Sequence, residues 1–205
     1  FRFWIELHAL TWNVVVMPLA VALIADLSWS TEQDARAWNH LLAQPVRPRH
    51  HFLAKALNHF GFVLLAWLLL NALLPLAAWG LNRNPALRLW MGTFPWLLWL
   101  KFAAFGLLAA MPLLAFQTWF SMRFPGLWVA LLSVLVGMWL CTQVGGRLPW
   151  IEVLPWGLAG RMSWALERLV PIPWHDVPGG LLCSLSFLGI GLVGFRDALL
   201  PASHR

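Results

Sequence analysis

The composition of this 205-residue chain excludes a water-soluble domain. Hydrophobic residues make up 60% of it and charged residues only 11%, whereas soluble domains carry about a quarter charged residues in their polar shell. The formal net charge is +6. Because the basic residues lie in short segments between apolar runs, they fit topology signals and contacts to anionic lipid. Nucleic-acid binding, which calls for a basic face on a soluble fold, is not expected.

Five segments are apolar enough to cross a bilayer as helices, which takes about 20 residues each. Prolines inside them, Pro18, Pro75 and Pro112, predict kinks. The sequence therefore predicts a single all-α integral membrane domain over residues 1–205. The spans are expected at about Ile5–Trp29, Ala56–Leu81, Trp90–Trp119, Leu127–Val144 and Gly179–Leu200.

The lysines and arginines outside the spans indicate the orientation, because cytoplasmic segments are richer in them. They favour a cytoplasmic loop at about 28–55 and a cytoplasmic C-terminus. The Pro- and Trp-rich stretch at about 145–178 is then external, with a short amphipathic helix at Leu158–Val170. This stretch is interpreted as an interfacial anchor or as an outer gate or substrate vestibule. The charged residues on the predicted water-facing side of this helix are Arg161, Glu167 and Arg168.

A short helix is predicted inside the loop, at Thr31–Ala43. Ser30 and Gln33 have the spacing of a capping box, and Pro45 and Pro48 end the helix. Its apolar residues recur at three-to-four spacing and share one face. Periodicity leaves two interpretations open, an amphipathic helix lying on the bilayer and a docking helix for a soluble partner. The apolar face consists of Ala35, Trp38, Leu41 and Leu42.

Residues 34–49, which read DARAWNHLLAQPVRPR, together with Lys55 resemble the cytoplasmic loop of type-2 ABC transporter permeases, the membrane subunits of ATP-driven exporters. In that family an acidic residue precedes a W-x-x-L-L-x-x-P-V-x-R element, and a lysine opens the next span. The span end at 114–121 is also similar, and the Pro-Trp segment at 154–156 resembles that of lantibiotic and bacitracin immunity permeases. The family usually has six spans, which leaves open whether a further span precedes the five counted here.

The resemblance implies a permease subunit that exports an amphipathic substrate, such as an antimicrobial peptide or a lipid-like molecule, by alternating access. It also implies a separate ABC ATPase that carries ATP and Mg, a second permease subunit, alike or related, and a bacterial plasma membrane. Pro48 stands between Arg47 and Arg49, so either arginine can match the family's basic residue. The residues expected to couple to the ATPase are Glu32, Arg36, Trp38, Leu41, Leu42, Arg47 and Arg49.

Motifs for chemistry within the chain are missing. An ATP-binding P-loop ends in Gly-Lys-Ser/Thr, and neither of the two lysines, Lys55 and Lys101, follows a glycine. No enzyme activity and no cofactor are therefore expected in this chain. Zinc and nucleophile motifs are absent too, and the adjacent His50 and His51 have poor spacing for a metal pair. The alternative function is a non-catalytic membrane scaffold or assembly subunit, which would need no ATPase.

Polar side chains inside predicted spans are costly in lipid and are functional candidates by default. The neutral ones either line a substrate path or form hydrogen bonds between helices. Lys101 either extends to the outer interface or pairs with Glu6, and Asp26 is expected at the inner interface. The candidates for a substrate path are Asn13, His59, Asn71, Lys101 and Gln117.

Overall fold

The computed structural model describes residues 2–34, 47–84, 94–144, 154–168, 171 and 174–199. Every regular element in these ranges is a helix, so the backbone groups bond within their own segments, as a hydrocarbon environment requires. The helices are α1 (Arg2–Thr11), α2 (Met17–Asp34), α3 (Pro48–Asn82), α4 (Trp96–Arg123), α5 (Leu127–Val144), α6 (Gly157–Arg168) and α7 (Val177–Leu199).

Three stretches of the described chain are long and apolar enough to cross a membrane, namely Arg49–Asn82, Trp96–Arg123 and Trp174–Gly194. A shorter apolar helix covers Leu127–Cys141, and a further helical run extends from α1 through α2. The prediction of an all-α integral membrane fold is thereby confirmed. Helix α3 begins earlier than predicted, so residues 48–55 belong to this helix and not to the loop.

Helix α4 forms the centre of the bundle. It packs against α2, α3 and α7. In its apolar 18-residue stretch 50% of the residues are buried, compared with 11% in the corresponding stretch of α3. Its buried face includes small residues, which allow neighbouring backbones to approach closely. These small residues are Ala103, Gly106, Ala109 and Ala110.

The buried face of α3 is more polar than its exposed face. Lys55 and His59 are four residues apart and share one face of the helix, and both are buried, as is Asn71 further along the helix. A soluble helix has the opposite arrangement, whereas a helix in lipid must turn its polar side chains toward protein. The exposed face is rich in leucine, with Leu57, Leu65, Leu69, Leu73 and Leu76 among its residues.

A π-turn, Trp12–Val16, joins α1 to α2 without interrupting the helical run. Pro18 lacks an N–H, and its ring would clash with the carbonyl four residues earlier in a regular helix. The wider turn accommodates this proline, and the Met17 N–H bonds to the Trp12 carbonyl. Trp12 and Asn13 are both buried in this turn, so the irregularity predicted at Pro18 brings two polar side chains into the bundle.

Helix α6 begins inside the bundle. Trp156, directly before it, contacts Phe116 of α4 edge-to-face, with ring centroids 4.8 Å apart. The indole also occupies the space left by Gly137 near the middle of α5, where a Cβ would lie 2.3 Å from the ring. The expectation that Arg161 faces water is wrong, because its side chain is 15% exposed and pairs with the buried Asp176.

Candidate functional site

The end of α2 forms the first wall of the candidate coupling site. The helix runs through Ser30 to Asp34, so the capping box predicted at Ser30 is wrong. The Ser30 and Thr31 hydroxyls donate to the Leu27 carbonyl at 3.4 and 2.6 Å, a bond that such side chains form within helices. Four of the residues predicted to couple to the ATPase lie outside the described residues, namely Arg36, Trp38, Leu41 and Leu42.

The start of α3 forms the second wall. Arg47 is extended, with ψ at 132°, because the residue before a proline disfavours the helical conformation. Its carbonyl accepts a hydrogen bond from the His50 N–H at 2.8 Å. Arg47, Arg49 and His50 are exposed. Arginines at a helix N-terminus are opposed by the helix dipole, so helix stability does not explain these two.

Lys55 joins these two walls. Its ammonium group donates to the Ser28 carbonyl at 2.6 Å and to Ser28 Oγ at 2.9 Å, and it lies 2.8 Å from Glu32 Oε1. The three ammonium protons thus meet three acceptors, and the group also lies 4.3 Å from the centroid of the Trp29 ring. The helix dipole opposes the negative charge of Glu32 in the last turn of α2, and burial opposes the charge of Lys55. Their pairing therefore stabilises both charges.

Trp29 connects this cluster to the centre of the bundle. Its indole N–H donates to the Thr118 carbonyl of α4 at 3.1 Å, and its ring stacks on Phe52 with centroids 6.4 Å apart. Both aromatic side chains are fully buried. The Phe52 ring lies against Gly191 of α7, where a Cβ would fall 2.1 Å from it. Helices α2, α3, α4 and α7 therefore meet in one packed block, which we call the Lys55 block (Ser28, Trp29, Glu32, Phe52 and Lys55).

Asp26 ties the turn between α4 and α5 to α2. It is 2% exposed, and its Oδ1 accepts a hydrogen bond from the Gly126 N–H at 2.9 Å. Gly126 has a φ of 138°, a conformation that side-chain-bearing residues rarely adopt. The sequence-based expectation of an interfacial aspartate missed this burial, because a carboxylate can be buried where a backbone donor reaches it.

Two of the predicted path residues bond between helices near the Lys55 block. His59 Nδ1 lies 3.0 Å from Thr118 Oγ1. Gln117 donates to Ser133 Oγ of α5 at 2.9 Å. Of the two interpretations, the structure shows helix–helix hydrogen bonds for both side chains. Lys101 lies elsewhere, exposed in the first turns of α4.

The other two path residues, Asn13 and Asn71, line a small cavity between the π-turn, α3 and α4. Asn71 donates to the Trp67 carbonyl of its own helix at 2.9 Å. This cavity lies against the middle and second half of α3, at Trp67 and Asn71, away from Lys55 in its first turns. The predicted path residues are therefore divided among two regions of the bundle and its surface, and they do not line one continuous site.

An ion pair at the start of the last helix was missed by sequence reasoning. Arg161 Nε lies 3.3 Å from Asp176 Oδ2, and the exposed His175 places Nε2 3.2 Å from Asp176 Oδ1. The pair ties α6 to the 3-10 turn that precedes α7. Among the described residues, no group of three or more His, Cys, Asp or Glu side chains could hold a metal ion.

Comparison with known proteins adds one match. The family model described as "ABC-2 family transporter protein" matches residues 2–138, a region that contains the whole Lys55 block. No curated protein and no solved structure matches the chain. The matched region ends within α5, so α6, the Arg161–Asp176 pair and α7 lie beyond it.

Proposed function

The chain belongs to the ABC-2 family of transporter proteins, and on that premise we propose that it is the permease subunit of an ATP-driven exporter. A separate ABC ATPase carries ATP and Mg, and a second permease subunit, alike or related, completes the transporter. The loop between α2 and α3 and the C-terminus face the cytoplasm of a bacterial plasma membrane. The substrate is amphipathic, as for lantibiotic and bacitracin immunity permeases, and it crosses by alternating access.

The Lys55 block carries this proposal. Lys55 bonds to Ser28 and Glu32, so the two helices that flank the loop are joined where they leave it. A force on the loop then moves both helices together. The Trp29–Thr118 bond passes that movement to α4, the most buried of the apolar spans. A loop that only rested on lipid would need no such connection to the bundle centre.

The exposed side of the same end supports a protein partner. Arg47, Arg49 and His50 project from the first turn of α3, and Arg residues are common anchors of protein interfaces. Trp38, Leu41 and Leu42 share the apolar face predicted from the sequence. We propose that this face fills a groove on the ATPase, while Glu32, Arg36 and the two arginines at 47 and 49 fix its orientation.

Purification of the tagged chain from its own membranes in mild detergent tests the partner. We expect an ABC ATPase to co-purify, and we expect the isolated chain neither to bind nor to hydrolyse ATP. Tight ATP binding by the isolated chain would contradict the proposal that a separate subunit binds and hydrolyses ATP. Recovery of the tagged chain without any ATPase would favour the alternative function, a non-catalytic membrane scaffold or assembly subunit.

Two substitutions test the docking role, Trp38→Ala and Arg49→Ala. Truncating an interface anchor can cost about 2 kcal/mol or more of binding free energy, so we expect lower ATPase recovery, or hydrolysis that no longer responds to a lantibiotic peptide. Arg123→Ala is the matched control, because Arg123 is an exposed arginine at the end of α4, outside the loop. If both loop variants assemble and respond like the parent, the docking role is wrong.

A further inference from the structure

The cavity beside Asn13 and Asn71 is lined by polar side chains whose ring nitrogens have no hydrogen-bond partner among the described residues. It lies between the π-turn, α3 and α4, and its polar side chains include His8, Trp12 and Trp99. Trp12 is 5% exposed. The ring nitrogens His8 Nε2, Trp12 Nε1 and Trp99 Nε1 are shielded from solvent and have no hydrogen-bond partner among the described residues.

Two other indoles in the same bundle are satisfied, whereas Trp156 Nε1, outside this cavity, is shielded and has no partner among the described residues. Trp29 donates to the Thr118 carbonyl and Trp67 to the Ala103 carbonyl, each at 3.1 Å. Buried tryptophans normally find such an acceptor, because a buried donor without one loses its bond to water and gains nothing in return. Trp12 and Trp99 line the same cavity, and neither indole N–H has an acceptor among the described residues, which favours an acceptor bound in that cavity.

The lining also limits the chemistry of that acceptor. An indole N–H can only donate, so the ligand atom must accept hydrogen bonds. The lining residues include no Asp, Glu, Lys or Arg, so no charged side chain is present to bind an ion. The volume open to the centre of a water-sized sphere is about 10 Å³, close to the minimum for one water molecule. A single neutral oxygen atom fits these conditions.

Local sequence features build this cavity. The π-turn that accommodates Pro18 carries Trp12 and Asn13 into the bundle, and π-turns are frequent at functional sites. Across from it, Gly106 leaves room for the Asn13 amide, because a Cβ there would lie 2.5 Å from Asn13 Oδ1. We propose that this cavity binds the oxygen atom of a neutral hydrogen-bond acceptor, either an ordered water molecule or a carbonyl group of a lipid-like molecule.

Radiolytic hydroxyl-radical labelling in ¹⁸O-water tests the water source on the parent protein in phosphatidylglycerol–phosphatidylethanolamine nanodiscs. Bound water generates radicals at its own site, so we expect several-fold more ¹⁸O on Trp12 and Trp99 than on Trp29. Trp29 is the matched reference for Trp12, since both side chains are buried and the Trp29 N–H is already bonded.

Native mass spectrometry tests the lipid source. If a carbonyl fills the cavity, the parent retains one lipid more than the Trp12→Phe variant, which keeps the ring and loses the donor. Trp96→Phe, on the exposed side of α4, should retain that lipid.

Either positive result supports the acceptor site and identifies its source. Equal labelling of Trp12, Trp99 and Trp29, together with no lipid lost in Trp12→Phe, overturns the proposal. The labelling needs no variant, so a variant that fails to fold does not prevent the test. No ATPase takes part in either measurement, so a failure here leaves the proposed coupling role unaffected.

Discussion

Two regions along α3 satisfy their buried polar groups in different ways. In one region, Lys55 meets three oxygen acceptors and an aromatic face, and the neighbouring aromatics are closely packed. In the other, Trp12 and Trp99 face a cavity with indole N–H groups that have no partner among the described residues. A fully bonded block moves as a unit, whereas a cavity with open donors can exchange its occupant. The first arrangement suits force transmission and the second suits binding.

Removing the Lys55 ammonium group should cause the largest loss of stability among the substitutions considered. Lys55→Met leaves Glu32 and Ser28 without their shared cation, and breaking a buried ion pair costs about 3 to 5 kcal/mol. Glu32 keeps some solvent contact, with 31% of its side chain exposed, so we expect about 3 kcal/mol, the lower end of that range. Thermal unfolding in detergent measures the loss. Lys101→Met is the control, because Lys101 is exposed, and equal losses would contradict the special role of Lys55.

Overfilling the packed region should come next. In Gly191→Ala the new Cβ would overlap the buried Phe52 ring at 2.1 Å, and overpacking a tight site costs about 1 to 3 kcal/mol. Gly189→Ala, on the same helix, meets no atom within 4 Å and should cause no loss of stability. The free energy of unfolding of the two variants decides the point. Similar values would mean that Phe52 can move aside.

The indole donors offer a smaller and more direct comparison. Trp29→Phe removes a hydrogen bond and leaves the Thr118 carbonyl without this donor, which should cost about 1 kcal/mol or somewhat more. Trp12→Phe removes an N–H that has no acceptor among the described residues, so the stability of this variant should change less. Parallel unfolding curves in one detergent test the ranking. A larger loss for Trp12→Phe would show that its N–H is bonded strongly in the parent.

The smallest effect is expected at Gly106. Its Cβ in Gly106→Ala would fall 2.5 Å from Asn13 Oδ1, but the adjacent cavity gives the Asn13 side chain room to shift. The higher helix propensity of alanine, worth about 1 kcal/mol over glycine, offsets part of that shift. We expect a net change below about 1 kcal/mol in the same unfolding measurement. A loss as large as that of Gly191→Ala would show that both regions are equally rigid.

Composition and apolar run length were enough to predict the helical membrane fold, because hydrocarbon surroundings leave few alternatives to helices. The predictions for individual polar side chains were wrong where more than one hydrogen-bond or ion-pair partner was within reach. Ser30 carries the sequence pattern of a cap, yet its hydroxyl bonds back to Leu27 within a continuing helix. Arg161 has the spacing of a wet face, yet it pairs with Asp176. Periodicity describes a face of a helix, not what that face meets.

The candidate site was predicted in part. The family-like motif pointed to the loop and to Lys55, but the pairing of Lys55 with Glu32 depends on how α2 and α3 cross, which spacing along the chain does not record. The inward face at the start of α3 could have been predicted from the four-residue spacing of Lys55 and His59. The separation of Asn13 and Asn71 from His59 and Gln117 follows from their depth along the helices, and sequence shows that only once the helices are paired.

The reversed polarity of α3 has a consequence for how the chain is assembled in the cell. Its apolar window has a mean hydropathy of 2.2, so the translocon can release this helix into lipid as a separate segment. Its Lys55, His59 and Asn71 are then exposed to hydrocarbon until they pack against α2, which precedes them in the chain, and α4, which follows, and that exposure is unfavourable. Biogenesis therefore has a built-in order, in which insertion comes first and the polar stripe then recruits the neighbouring helices. A stalled intermediate at this point is the form that membrane quality-control proteases should recognise.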